Sequence, residues 1–413
     1  MQTQIIEKYL KTAEGQEAET ILRSCVHCGF CTATCPTYQL LGDELDGPRG
    51  RIYQMKQVLE GQPVSRTTQQ HLDRCLSCRS CETTCPSGVQ YGRLVDIGRH
   101  IVEAQVTRPL VERLQRLLLR KLVPNQTLFR LSLGLGRLFS PILPKQLTQK
   151  IPIKQTVTAW PARSHQRKML VLDGCVQPIT APQTNAASAR LLDRLGIQLI
   201  KAKGAGCCGA VSHHLSAPEE ALHAMRRNID AWWPLLEQGV EGIISTASGC
   251  GVVLKEYGKL LQHDKHYASK AEKISHVAND LSEILINEDL TAFKLNNPIK
   301  VAFHAPCTLQ HGQKIVGVVE AILSQVGYVL TEVNDAHLCC GSAGTYSILQ
   351  SKLSQQLLTN KLNALQADSP EFIASANIGC QMHMATQADI PVMHWIELVE
   401  QAADRSKPSE TLC

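Results

Sequence analysis

Two short cysteine runs constrain this chain more than any other feature. Cys25, Cys28, Cys31 and Cys35 precede Pro36, and Cys75, Cys78, Cys81 and Cys85 precede Pro86. The pattern C-x2-C-x2-C-x3-C-P thus occurs twice in the first hundred residues. The N-terminal MQTQIIEKYL carries Glu7 and no long apolar run, so no secretory signal is expected. In a reducing compartment, cysteines at this density point to metal or redox chemistry rather than to a disulfide framework. Three thiolates separated by two residues each wrap a loop around one cube of iron and sulfide. The fourth leaves on a diverging segment and reaches a neighbouring cube. The spacing therefore predicts two [4Fe-4S] clusters, one on Cys25, Cys28, Cys31 and Cys85, the other on Cys75, Cys78, Cys81 and Cys35. Zinc competes with this reading, but zinc needs only four thiolates in two pairs and does not require the same run twice.

Between Cys35 and Cys75 lie 39 residues, longer than a compact β-type two-cluster protein needs. Ile52, Met55, Val58 and Leu59 fall on one helical face there. Residues 1–100 are accordingly expected to form a mostly α-helical, two-cluster ferredoxin-type domain. Arg49 and Arg51 either dock near the anionic clusters or lie on a solvated face.

The second half reads as an internal duplication. Cys175, Cys207-Cys208-Gly209 and Cys250 recur as Cys307, Cys339-Cys340-Gly341 and Cys380, at offsets of 132, 132 and 130 residues. Four cysteines in register imply two copies of one unit, over 166–290 and 298–413. Each copy reads as α/β. Strands are expected at Lys168–Asp173, Ile197–Ile200 and Gly242–Thr246, then at Lys300–His304 and Glu371–Ser375, with a helix from Ala186 to Leu195. The fold class is thus α followed by α/β, with cysteines recurring just beyond strand ends, where such folds build their sites. Cys175, Cys207, Cys208, Cys250, Cys307, Cys339, Cys340 and Cys380 are the secondary candidate ligands. The expectation is one shared site where the two copies face each other; the competing reading is one buried structural cysteine per strand end. His311 and His383 lie near the second set and are left out of it. Gly204-Ala-Gly206-Cys-Cys-Gly209 matches G-x-G-x-x-G by letter only, without the opening helix and later acid of a dinucleotide site. No phosphate-binding loop is present either, so no flavin is expected on this chain. Cys413 is a bystander.

The chain has 413 residues with 44% hydrophobic and 19% charged, which indicates a globular protein of several domains. Aromatics are 4% and the net charge is only +5, so a nucleic-acid partner is not expected. No apolar stretch approaches the roughly 18–20 residues of a spanning helix. Residues 101–165 read as a basic amphipathic linker. Between 108 and 150 stand Arg108, Arg113, Arg116, Arg120, Lys121, Arg130, Arg137, Lys145 and Lys150 against Glu112 alone. Leu110, Leu114, Leu117 and Leu118 form an apolar stripe, and Pro124, Pro141 and Pro144 cut the stretch into short helices. Such a segment lies on an anionic membrane surface or an acidic partner, or packs on the domains with its basic face solvated.

The whole order resembles the iron–sulfur subunits of bacterial glycolate oxidase (glycolate dehydrogenase). The strings that carry the resemblance are SCVHCGFCTATCPTYQLLGDELDGPRGRIY, HLDRCLSCRSCETTCPSG, NIDAWWP, TASGCG, HLCCGSAGTY, ANIGCQ and HWIE. The Cys-Cys-Gly units are also similar to those of heterodisulfide reductase and of lactate-utilisation and glycerol-phosphate dehydrogenase subunits. The resemblance implies partner flavoprotein subunits that oxidise glycolate to glyoxylate. This chain would relay single electrons from them to a membrane quinone or other acceptor, peripherally on the cytoplasmic face of the inner membrane. It also leaves open a further iron–sulfur cluster at the Cys-Cys-Gly site. In heterodisulfide-reductase-like units the last cysteine is doubled as C-x2-C. Here the +3 positions are Val253 and His383, so each unit offers four cysteines rather than five.

Overall fold

The computed structural model describes residues 1–142, 151, 152, 155, 156 and 158–405. Lys145, Lys150, Pro144 and Cys413 therefore lie outside the described residues. The N-terminal part is helical. Helices Ala13–Ser24, Pro48–Leu59, Arg66–Asp73 and Tyr91–Gln105 pack around a core that includes Leu22, Met55, Leu59, Leu72 and Leu94, all buried. Pro48 suits the first helical turn, because its missing N–H would have no partner there. The expected apolar face, Ile52, Met55, Val58 and Leu59, is buried whole.

Two four-stranded parallel sheets follow. The first runs in the order β2-β1-β3-β4 with β1 Arg167–Val171, β2 Ile197–Lys201, β3 Gly242–Ser245 and β4 Ala278–Asp280. The second repeats it as β6-β5-β7-β8 with β5 Ile299–His304, β6 Tyr328–Leu330, β7 Phe372–Ser375 and β8 Val392–His394. The central strands read as continuous apolar runs because helices cover both faces. The helix expected from Ala186 begins at Pro182, in the position that tolerates proline.

The two units exchange helices. Pro182–Arg194, which follows β1, packs on Trp395–Arg405, which follows β8. Reciprocally, Val318–Gln325, after β5, packs on Leu281–Leu285, after β4. One hydrophobic core therefore spans both units, from Val171 and Leu191 to Val301 and Trp395. At the seam the ends of β3 and β7 meet: Ser248 N–H donates to the Ala376 carbonyl at 3.1 Å, and His394 Nε2 lies 2.8 Å from the Thr246 carbonyl oxygen.

The linker forms two helices, Leu110–Leu122 and Gln126–Leu138, joined at Pro124. Several of its basic side chains turn towards the protein. Arg108 is buried against Asp73 and Glu103, Arg116 reaches Asp73 at 2.9 Å, and Lys121 reaches Glu220 at 2.8 Å. The apolar side chains turn outwards instead. Leu110, Leu114, Leu117, Leu131, Leu135, Leu138 and Ile142 are all exposed, Leu110 and Ile142 by 79%. A solvated basic face is thus not what the helices present; the exposed cations are Arg113, Lys121 and Arg130.

Candidate metal centres

The two N-terminal cysteine runs fold into similar loops. Each places a left-handed residue two after its first cysteine and one after its second. These are His27 (φ 57°) and Gly29 (φ 88°) in the first run, and Ser77 (φ 52°) and Arg79 (φ 61°) in the second. For a non-glycine residue this conformation costs roughly 1–2 kcal/mol. Such strain concentrates at sites where the loop is held by a ligand.

Each run contributes to two cavities. The first offers about 430 Å³ of atom-free space, part of it open to solvent, and is lined by Cys25, Cys28, Cys31, Cys85 and also Cys81. The second offers about 300 Å³ and is lined by Cys35, Cys75, Cys78 and Cys81. Burial, then neighbouring thiols, push the Cys31 thiol up to about 11, and push Cys78 and Cys81 well above the ordinary thiol range. Buried thiols crowded around a cavity resist ionisation, which is what a cationic iron–sulfide core would relieve. The donor set therefore fits such a group. Thr37 Oγ1 lies 3.3 Å from Cys35 Sγ, and the Ser77 N–H donates to Cys75 Sγ at 3.4 Å. Arg51 lines the second cavity and is 1% exposed; its Nε donates to the His71 carbonyl at 2.7 Å and its Nη2 pairs with Asp46 at 3.3 Å. Arg49 is half-exposed, pairs with Glu44 at 2.6 Å and lines the first cavity. Both arginines therefore border the cysteine cavities.

The Cys-Cys-Gly units gather their thiols differently. In the first unit Cys175, Cys207, Cys208 and Cys250 form a chain of thiol–thiol contacts; in the second Cys307, Cys339, Cys340 and Cys380 do the same. Cys307 and Cys339 sulfurs are 4.0 Å apart. The single shared site expected from the duplication is therefore replaced by two quartets, one per unit. The strand ends do meet at the seam, but each quartet is closed by the Cys-Cys-Gly loop of its own unit. The glycine of that loop is required twice over. Gly209 (φ 95°) and Gly341 (φ 86°) are left-handed, and a Cβ on Gly341 would stand 2.5 Å from the Ser354 carbonyl oxygen. Hydrogen bonding from Cys175 and Cys208 holds Cys207 well below the ordinary thiol range, whereas the Cys339 contact and burial push Cys307 well above it.

His311 and His383 remain outside the quartets' donor sets. His311 Nδ1 meets Thr83 at 2.9 Å and its Nε2 meets the His337 carbonyl at 3.1 Å, while His383 Nε2 meets Ser354 at 3.0 Å. A residue that sequence reasoning passed over is His304, at the end of β5. A ring nitrogen of His304 and the sulfurs of Cys340 and Cys380 lie within 4.8 Å of one another, all buried. Burial pushes the His304 imidazole down to about 3, so it is neutral and able to ligate.

The second cavity and the second quartet adjoin. Leu76, Cys307, Cys339, Tyr346 and Leu357 form one buried cluster with Cys78 packed against it. The Tyr346 hydroxyl donates to the Arg74 carbonyl at 3.1 Å, and Arg79 pairs with Glu256, which fastens the helical domain to both units. At the opposite end, Cys28 is exposed beside Val26 and Phe30, which are 67% and 61% exposed.

Comparison with known proteins agrees with this layout. Residues 21–89 match the 4Fe-4S dicluster domain, and residues 169–255 and 301–385 each match the cysteine-rich domain. The chain is 56% identical to the glycolate oxidase iron-sulfur subunit of Escherichia coli (strain K12), over 98% of this chain and 100% of that one. It is 28% identical to the "Probable glycolate oxidase iron-sulfur subunit" of Bacillus subtilis (strain 168), over 96% and 98%. A crystal structure of a hypothetical protein from Helicobacter pylori shares the fold at a TM-score of 0.57 and 10% identity, over 96% of this chain and 73% of that one. No described helix is long and apolar enough to cross a membrane. With its dicluster domain and paired cysteine-rich units, the chain belongs to the family of glycolate oxidase iron–sulfur subunits, iron–sulfur-binding components of an oxidoreductase complex.

Proposed function

We propose that this chain is the electron-relay subunit of a glycolate dehydrogenase complex. Its domains would divide as 1–100, 101–165, 166–290 and 298–413. Two [4Fe-4S] clusters, when bound, supply one-electron transfer, and no flavin is held here. Cys25, Cys28, Cys31 and Cys85 would hold one, and Cys75, Cys78, Cys81 and Cys35 the other. The observation that carries the reading is the continuous line of cysteine sites from exposed Cys28, through Cys78, to Cys307 and Cys339. The apolar rim of Val26 and Phe30 beside Cys28 suits docking of a partner flavoprotein subunit, which would oxidise glycolate to glyoxylate and release two electrons and two protons. The thiolates of this chain would hold one-electron centres, which would take up the two electrons one at a time.

Co-purification of a tagged full chain tests this. A flavoprotein should accompany it, and the complex should reduce a dye on addition of glycolate. Absence of any flavoprotein, or glycolate oxidation by the purified chain without flavin, overturns the assignment.

The acceptor side is read as a membrane quinone, with the chain peripheral on the cytoplasmic face of the inner membrane. The helix pair 110–138 supports a specific mode of contact. Its outward leucines suit the headgroup–acyl boundary of a bilayer, flanked by Arg113 and Arg130 for anionic headgroups. Binding to anionic vesicles should then survive about 0.5 M salt, where the Debye length is roughly 4 Å. Leu131→Glu with Leu135→Glu should abolish it. Release of the unaltered protein by salt alone would show that charge, not the apolar face, makes the contact.

A further inference from the structure

The two copies differ at a position facing their thiols. Leu172 follows β1 in the first unit and is buried; 132 residues later, in the register of the cysteines, stands His304. His304 is 2% exposed. Its Nδ1 lies 3.1 Å from Ser375 Oγ, whereas its Nε2 has no hydrogen-bond partner. A buried imidazole nitrogen left without a partner is costly, and such a group is retained where something else satisfies it. A ring nitrogen of the same imidazole and the sulfurs of Cys340 and Cys380 lie within 4.8 Å of one another.

We propose that His304 is a ligand of an iron centre held by the second quartet, so that the two duplicated units carry different centres. The proposal rests on the reading that this quartet binds metal; iron is assigned because the quartet abuts Cys78, where a redox-inert ion would end the relay. Ser375 would orient the ring through Nδ1, the usual office of a residue behind a ligating histidine.

A second difference points the same way. Gly209 approaches the Ala221 carbonyl and Gly341 the Ser354 carbonyl, which aligns the two following helices. Seven residues on from these stand Asn228 and Lys361. Lys361 is 3% exposed, with its ammonium on the Asp335 and Ala336 carbonyls at 3.0 Å. At these positions the second unit has an imidazole and a buried ammonium where the first has leucine and asparagine; the first unit's own cation, Arg227, lies beside the Cys207 carbonyl instead. An imidazole that takes the place of one thiolate lowers the negative charge on a centre and favours its reduced form, as in clusters that exchange thiolate for histidine.

Pulsed electron paramagnetic resonance on the full chain, purified anaerobically and reduced, tests the ligand directly. A directly coordinated imidazole nitrogen should appear, and should change to the nitrogen-15 pattern when histidine is labelled. His304→Leu restores the residue that the first copy accommodates at the same place. It should erase the coupling while the iron of the eight N-terminal cysteines is retained. His304→Cys should lower the potential of that centre. Absence of nitrogen coupling in the unaltered chain, coupling unchanged in His304→Leu, or zinc at the second quartet would each overturn the proposal. A Cys340→Ser, Cys380→Ser chain separates the two failures. If its metal content and spectra equal those of the unaltered chain, the quartet binds no metal and the underlying reading falls. If it loses a centre that His304→Leu keeps unchanged, only the histidine assignment falls.

Discussion

Cys35→Ser should remove the iron of the cavity formed by Cys75, Cys78 and Cys81, and leave most of the iron beside Cys25, Cys28 and Cys31. Cys35 belongs to the first run by sequence, but its side chain lines the second cavity. It is buried, with Thr37 beside the sulfur, so a serine there has no flexible neighbour to take its place as ligand. Iron and acid-labile sulfide should fall from about eight to about four each per chain, counting only the two N-terminal clusters. Because metal binding supplies folding free energy, thermal stability of the helical domain should fall with it. Loss confined to the cluster of Cys25, Cys28 and Cys31 would mean that the fourth ligands are not exchanged.

Arg51→Met should destabilise the holo-protein by about 3–5 kcal/mol, the usual cost of removing one partner from a buried ion pair. Asp46 is fully buried and would keep only Arg74 and His71. The His71 carbonyl and the Thr37 hydroxyl would lose a donor as well. Arg51→Lys should rescue little, since one ammonium cannot reach acceptors arranged for a planar fork. Arg51 also lines the second cavity, so its loss should loosen iron there before iron at the first. Equilibrium denaturation with iron release followed in parallel measures both effects. A loss below about 1 kcal/mol would show that Asp46 is adequately held without it.

The parts legible from sequence were those that chemistry writes locally. Cysteine spacing within a loop is set by the geometry of what the loop encloses, so both N-terminal runs announce themselves. The duplication was visible because four cysteines kept their register, and the parallel strands because helices on both faces leave them continuously apolar. Three features were not legible, each for a different reason. The linker's basic residues suggested an outward positive face, turned to a membrane, an acidic partner or solvent, but a one-dimensional charge count cannot say that Asp73 and Glu103 wait beside Arg108 and Arg116. The convergence of strand ends at Ser248 and Ala376 suggested one shared thiol site, whereas each Cys-Cys-Gly loop closes its own quartet. His304 looked like the polar end of an ordinary strand. Only alignment of the two copies, with Leu172 opposite it, marks it as out of place.

The reciprocal exchange of helices bears on descent. Pro182–Arg194 covering Trp395–Arg405, and Val318–Gln325 covering Leu281–Leu285, is the packing of a two-fold homodimer whose protomers have been joined into one polypeptide. A single ancestral unit would have needed a second copy to bury those helices. In a homodimer made from one gene, any substitution beside the thiols would have to appear twice. A tandem repeat within one chain carries no such obligation. His304 opposite Leu172, and Lys361 opposite Asn228, are asymmetries that a symmetric dimer could not have held.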